Sequence, residues 1–171
     1  MQVQETAAKY LTRKRKYTDQ DYRSLPPDDF RYQLIDRELV RTPAPSVVHQ
    51  EIVRNLAMRL IRFVEEGKVG KVYFAPCDVK PGKHNVVQPD IFYISRENQQ
   101  IVHPEAIPGA PDLVMEVLSS STGYLDMVDK KKLYARAGVK EYWIVNPQMA
   151  VGGNLLAGRG TVPPASAGGK R

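Results

Sequence analysis

The chain has 171 residues, a single cysteine (Cys77) and a formal net charge of +6. That length suits one domain with a real core, and one cysteine excludes an intrachain disulfide, so a reducing, cytoplasmic setting is expected. No apolar run approaches the roughly 20 residues of a membrane span, and MQVQETAAKY lacks the apolar region of a signal peptide.

The charge is not evenly spread. Residues 1–20 carry five basic and two acidic groups, residues 148–171 three basic and no acidic ones, and residues 21–147 hold 17 of each. The basic excess belongs to the two ends. It suits contact with a polyanion, and it equally suits solvated tails.

Residues 1–20 read as a basic flexible arm. The ordered part begins near SLPPDDF, where Pro26-Pro27 marks a turn. FRYQLI and ELVR read as two strands joined at Asp36-Arg37, a hairpin by spacing. From His49 to Glu66 the apolar residues Ile52, Val53, Leu56, Leu60, Ile61 and Val64 recur at three and four residues. That predicts an amphipathic helix ended by Gly67. KVYFAP and PDIFYI then read as strands, and PDLVMEVLS is apolar enough to be a central one. Ser119, Ser120, Ser121 and Thr122 offer N-caps for a helix over Leu125 to Ala137, with Gly138 at its C-terminal cap. KEYWIV is a last strand, ended by Asn146-Pro147. The order predicts an α/β domain with a mixed sheet over residues 21–147. Residues 148–171 are rich in Gly, Ala and Pro without periodicity, and no packed structure is expected there.

Three positions carry candidate chemistry. Asp90 opens a strand, Glu116 lies inside an apolar strand, and Lys130 lies on the next helix between Asp126 and Tyr134 at four-residue spacing. Two carboxylates on neighbouring strands repel each other, and a divalent cation relieves that cost. A lysine beside them could stabilise charge on a phosphate. These are the parts of a metal-assisted phosphodiesterase. Each residue also has a plain structural reading. Asp90 could be a turn residue, Glu116 a salt-bridge partner of Lys130, and Lys130 part of a solvated face. Asp112 shares the face of Glu116, but lies roughly 13 Å along the strand, at its entrance. Three scattered histidines and one cysteine do not suggest zinc.

VVQPDIFYI, GAPDLVMEVLSSST and DMVDKKKLYARAGVKEYWIVNP closely resemble the Uma-two family, and YQLIDRELVR and APSVVHQEI resemble its N-terminal half. The resemblance spans about residues 17–147. It implies a restriction-endonuclease-like mixed β-sheet flanked by helices, of the PD-(D/E)XK superfamily, and Mg²⁺- or Mn²⁺-dependent cleavage of DNA. By the same resemblance Asp90 and Glu116 hold the metal, with the carbonyl of Val117 as an extra ligand. Lys130 activates water or stabilises the phosphorane, in place of the superfamily lysine that Leu118 displaces. Glu51 is the accessory glutamate candidate on the first helix. His49 matches a recurrent family histidine, which either caps that helix or touches substrate. Superfamily members often act as dimers, so a homodimer is expected. The chain departs from the family at Gln33 and Arg37, where glutamate and glycine are usual, and in its C-terminal residues. A catalytically inactive nucleic-acid-binding or interaction protein on the same fold is the alternative.

Overall fold

The computed structural model describes residues 15–28, 30–119, 123–149 and 157–161. Helix α1 (Asp19–Arg23) starts at a capping box, in which Thr18 and Asp21 satisfy each other's backbone N–H. The last part of the expected flexible arm is therefore ordered, because Thr18 and Asp21 supply the cap. Residues 1–14 lie outside the described residues.

Strands β1 (Arg31–Ile35) and β2 (Glu38–Thr42) form the expected hairpin, with Ile35 opposite Glu38. Asp36 and Arg37 both take positive φ, 48° and 68°. A two-residue turn of this hand matches the twist of the strands and favours glycine at its second position. Arg37 adopts it without that freedom, at a cost of about 1 kcal/mol. The hairpin is joined to the body through Leu34, which exchanges two backbone hydrogen bonds of 2.7 Å with Val86.

The remaining strands build a mixed sheet in the order β3-β4-β5-β6-β7, from β3 (Gly70–Phe74), β4 (Ile91–Ser95), β5 (Leu113–Val117), β6 (Glu141–Val145) and β7 (Ala157–Thr161). β5 pairs antiparallel to β4 and parallel to β6, and all five of its residues are buried. Strand alternation sorts the core into two layers. Ile91, Leu113, Met115 and Trp143 meet helix α2 (Val47–Gly67) through Val53, Leu56, Ala57, Leu60 and Ile61. Phe92, Ile94, Val114, Tyr142 and Ile144 meet Leu133 and Tyr134 of α3 (Lys131–Ala137) on the other face. Gly70 is required where β3 crosses β4, since a Cβ there would stand 2.2 Å from the Ile94 carbonyl oxygen.

Three expectations change in detail. Helix α2 runs through Gly67, and the left-handed residue that closes it is Lys68, whose N–H reaches the Val64 and Glu65 carbonyls. The helix expected over 125–137 begins as a π-helical segment, Leu125–Lys130, before α3. The Tyr142 hydroxyl donates to the Asp126 carbonyl at 2.8 Å within that segment, the kind of side-chain contact that shifts a helical ladder. Gly138 ends α3 with φ 85°, as expected. Finally, the stretch 148–171 is not without regular structure. β7 pairs antiparallel with β6 over five residues, because backbone pairing to a free edge needs no side-chain periodicity. Residues 150–156 and 162–171, and the capping candidates Ser120, Ser121 and Thr122, lie outside the described residues.

Asp112 is a structural acid at the start of β5. It accepts hydrogen bonds from the Ser95 N–H at 2.7 Å, from Asn98 at 3.2 Å and from Lys140 at 2.6 Å. Burial opposes its charge, but these donors outweigh burial and hold its pKa below the ordinary value. A depressed carboxylate stabilises the fold above its unfolded pKa, about 3.9. That contribution disappears as pH falls through the lower folded value. Asp112→Ala should therefore cost about 1–2 kcal/mol at neutral pH in urea unfolding, by leaving the half-buried Ser95 N–H and Asn98 amide without their acceptor. The gap from wild type should narrow in acid. A gap that does not change with pH would contradict this assignment.

Candidate active site

The antiparallel register that pairs Ile91 with Met115 brings the residue before β4 beside the end of β5. Asp90 occupies that place. Its Oδ2 accepts the Val117 N–H at 2.8 Å, so a side chain continues the strand pairing. Glu116 points to the α3 side of the sheet and is 2% exposed. Lys130 Nζ lies 2.9 Å from Glu116 Oε1 and 3.0 Å from Asp126 Oδ1. The Tyr134 hydroxyl donates to the same Glu116 oxygen at 3.0 Å. Lys130 is 3% exposed, which excludes a solvated helix face for it. Asp90, Glu116 and Lys130 thus line one cleft of about 500 Å³, together with Val117, His49 and Asp126.

His49 sits in the first turn of α2, where Ser46 accepts its backbone N–H at 3.2 Å. Its Nε2 lies 3.2 Å from both Asp90 Oδ2 and the Val117 carbonyl oxygen. Ser46 is the cap, and the His49 ring faces the site. Glu51 is exposed and does not line the cleft. It lies two residues further along the helix, turned from the face that carries His49. Leu118, in the usual place of the superfamily lysine, also lines the cleft.

Asp126 is the member that sequence reasoning left as a spacing marker. It is 2% exposed. The signal was present: Asp126, Lys130 and Tyr134 recur every four residues, as one inward helical face does. Tyr142 is buried, and its hydroxyl donates to the Asp126 carbonyl.

The electrostatics follow from counting charges. Three carboxylates, Asp90, Glu116 and Asp126, share the cleft with one buried lysine, which contacts Glu116 and Asp126. Burial raises the Glu116 pKa, Lys130 opposes this, and Asp126 and Asp90 add to it, so the group is pushed up to about 8. Burial works against charge on Lys130, but Glu116 and Asp126 outweigh it and raise its pKa. The hydrogen bond to Asp90 raises the His49 pKa against the effect of burial. Burial, reinforced by Glu116, lifts the Tyr134 hydroxyl well above its usual value. For Lys130 and His49 the neighbouring carboxylates outweigh burial, and for Glu116 and Tyr134 they add to it, so the cleft carries an excess of negative charge.

A hard divalent cation would relieve that excess. Among the described residues, no group of three or more His, Cys, Asp or Glu is arranged to hold a metal alone. Two carboxylates and the Val117 carbonyl on one cleft nevertheless fit a magnesium-like ion, which keeps several waters. His49 and Lys130 contact the same oxygens, so such an ion would share or displace these contacts.

The chain and its fold are similar to known proteins. The profile of the Uma2 (Uma-two) family, described as "Putative restriction endonuclease", matches residues 19–150. The fold is similar to the crystal structure of a protein from Anabaena variabilis ATCC 29413 described as a "putative nuclease belonging to DUF820". The TM-score is 0.68 at 16% identity, covering 83% of this chain and 79% of that one. No curated protein matches. The mixed sheet between two helical layers is thus a restriction-endonuclease-like fold, and the chain belongs to the Uma2 family.

Proposed function

We propose that this protein is a metal-dependent endonuclease that hydrolyses phosphodiester bonds in DNA. The observation that carries the reading is the meeting of Asp90, Glu116 and Lys130, from two strands and a helix, in one cleft. Asp90 and Glu116, with the Val117 carbonyl, would hold Mg²⁺ or Mn²⁺, in keeping with the general use of divalent metals by restriction-endonuclease-like families. Such an ion would polarise the scissile phosphate and ease deprotonation of water. Lys130 stays cationic between two carboxylates, so its role is to stabilise negative charge at phosphorus rather than to take a proton. Asp126 and Tyr134 fix the direction of the Lys130–Glu116 pair.

The test is nicking of supercoiled plasmid DNA with Mn²⁺ by wild type, Asp90→Ala and Lys130→Ala. Wild type should cut, and each variant should lose at least about 100-fold. No cleavage by wild type on any DNA form, or equal cleavage by the variants, would overturn the reading. One observation favours a second reading, a non-catalytic nucleic-acid binder. His49 pairs with Asp90 and Lys130 with Glu116, as structural ion pairs would. Binding of DNA without cutting would support that alternative.

A further inference from the structure

The two cations Arg31 and Lys130 line the cleft, but their surroundings differ. Lys130 is committed to two carboxylates at the closed end. Arg31, on β1, forms no ion pair among the described residues. Its Nε and Nη2 reach only the neutral Gln88 Oε1, at 3.4 and 3.3 Å, which are long hydrogen bonds. Gln88 is itself held. Its Nε2 donates to Asp78 Oδ1 at 2.9 Å, the Tyr22 hydroxyl donates to the same oxygen at 3.1 Å, and the Gln88 N–H reaches Gln33 at 3.3 Å. This chain of contacts holds the Arg31 side chain at the cleft wall, with no ion-pair partner among the described residues.

We propose that Arg31, steadied by Gln88, is a docking subsite for a DNA phosphate next to the one that is cut. A cleft rich in carboxylates repels a phosphodiester, and an unneutralised arginine beside it offers the compensating charge. A planar fork of donors suits phosphate oxygens better than a single amide oxygen. Gln88 is two residues from Asp90 in the chain, and Arg31, Gln88 and Asp90 line the same cleft. The hairpin that carries Arg31 is thereby part of the substrate channel. The identity of the ligand rests on the nuclease reading; the anion site itself rests on the geometry alone.

The experiment uses a fluorescein-labelled DNA duplex and the full chain, with Ca²⁺ present. Fluorescence anisotropy is followed over a series of salt concentrations for wild type, Arg31→Gln and Arg31→Lys. Arg31→Gln should weaken binding about tenfold or more and flatten the salt dependence by about one phosphate contact. Arg31→Lys keeps the charge but not the fork, and should fall between. In plasmid cleavage, Arg31→Gln should raise KM more than it lowers kcat. Wild-type affinity and salt slope in Arg31→Gln, or no duplex binding by wild type, would overturn the proposal. Weakened binding in a protein that never cuts would sustain it while removing the nuclease reading. Unchanged binding and KM in an active nuclease would do the reverse.

Discussion

Lys130→Met should lower stability by about 3–5 kcal/mol in urea unfolding, because it strands two buried carboxylates. The methionine keeps most of the volume of the lysine stem, so a cavity is not the cause. Glu116 and Asp126, both 2% exposed, would face each other without the ammonium between them. Burial already works against charge on Glu116 with Lys130 present, and without the ammonium the group must either stay charged unpaired or be protonated at a free-energy cost. The variant should therefore recover stability when Glu116→Gln is added, since the neutral amide removes that cost. This non-additivity separates a charge effect from general damage to packing. Cleavage should fall by about 10²–10³-fold in Lys130→Met, and the double variant should stay inactive while regaining stability. A single variant as stable as wild type, or a double variant no more stable than Lys130→Met, would contradict the buried triad.

The residues that reveal themselves in the sequence are those whose chemistry conflicts with their surroundings. Glu116 stands out because an acid inside LVMEV must be paired or bound. Asp90 emerges from its place before an apolar strand, together with the family resemblance. Lys130 was harder, because Lys130-Lys131-Lys132 reads as a wet surface until the register of the helix is known. The structure buries the first of the three and leaves the other two exposed. Asp126 and Arg31 were less legible. Asp126 shares the four-residue spacing of Lys130 and Tyr134, but its direction is set by a π-helical turn that no local propensity marks. Arg31 depends on a hairpin folding against Val86, a contact fixed by tertiary packing rather than by neighbours in sequence. β7 was invisible for a related reason, since an edge strand can be recruited by backbone hydrogen bonds alone.

Glu116→Gln should do the opposite of Lys130→Met, leaving stability nearly intact while removing function. The amide has the shape of the carboxylate, and its oxygen can still accept from Lys130 and Tyr134, which now reach Glu116 at 2.9 and 3.0 Å. Lys130 also retains Asp126 at 3.0 Å. Removing one of three crowded negative charges relieves repulsion as it weakens an ion pair, so the two effects offset within about 1 kcal/mol. Metal response is where the variant should fail. For wild type, Mg²⁺ or Mn²⁺ at about 100 times its dissociation constant adds about 2.7 kcal/mol of stability. Glu116→Gln should lose most of that gain, because an amide oxygen lacks the charge that holds a hard cation. Plasmid cleavage should fall by at least about 100-fold in the same variant. Thermal melts in chelator and in metal measure both quantities on one sample. Equal metal stabilisation of wild type and Glu116→Gln would place the ion elsewhere or nowhere. A large loss of stability in chelator would show that Glu116 belongs to the fold before it belongs to the site. The wanted pattern, a stable protein deaf to metal, can arise only if the buried acid is kept for something other than stability.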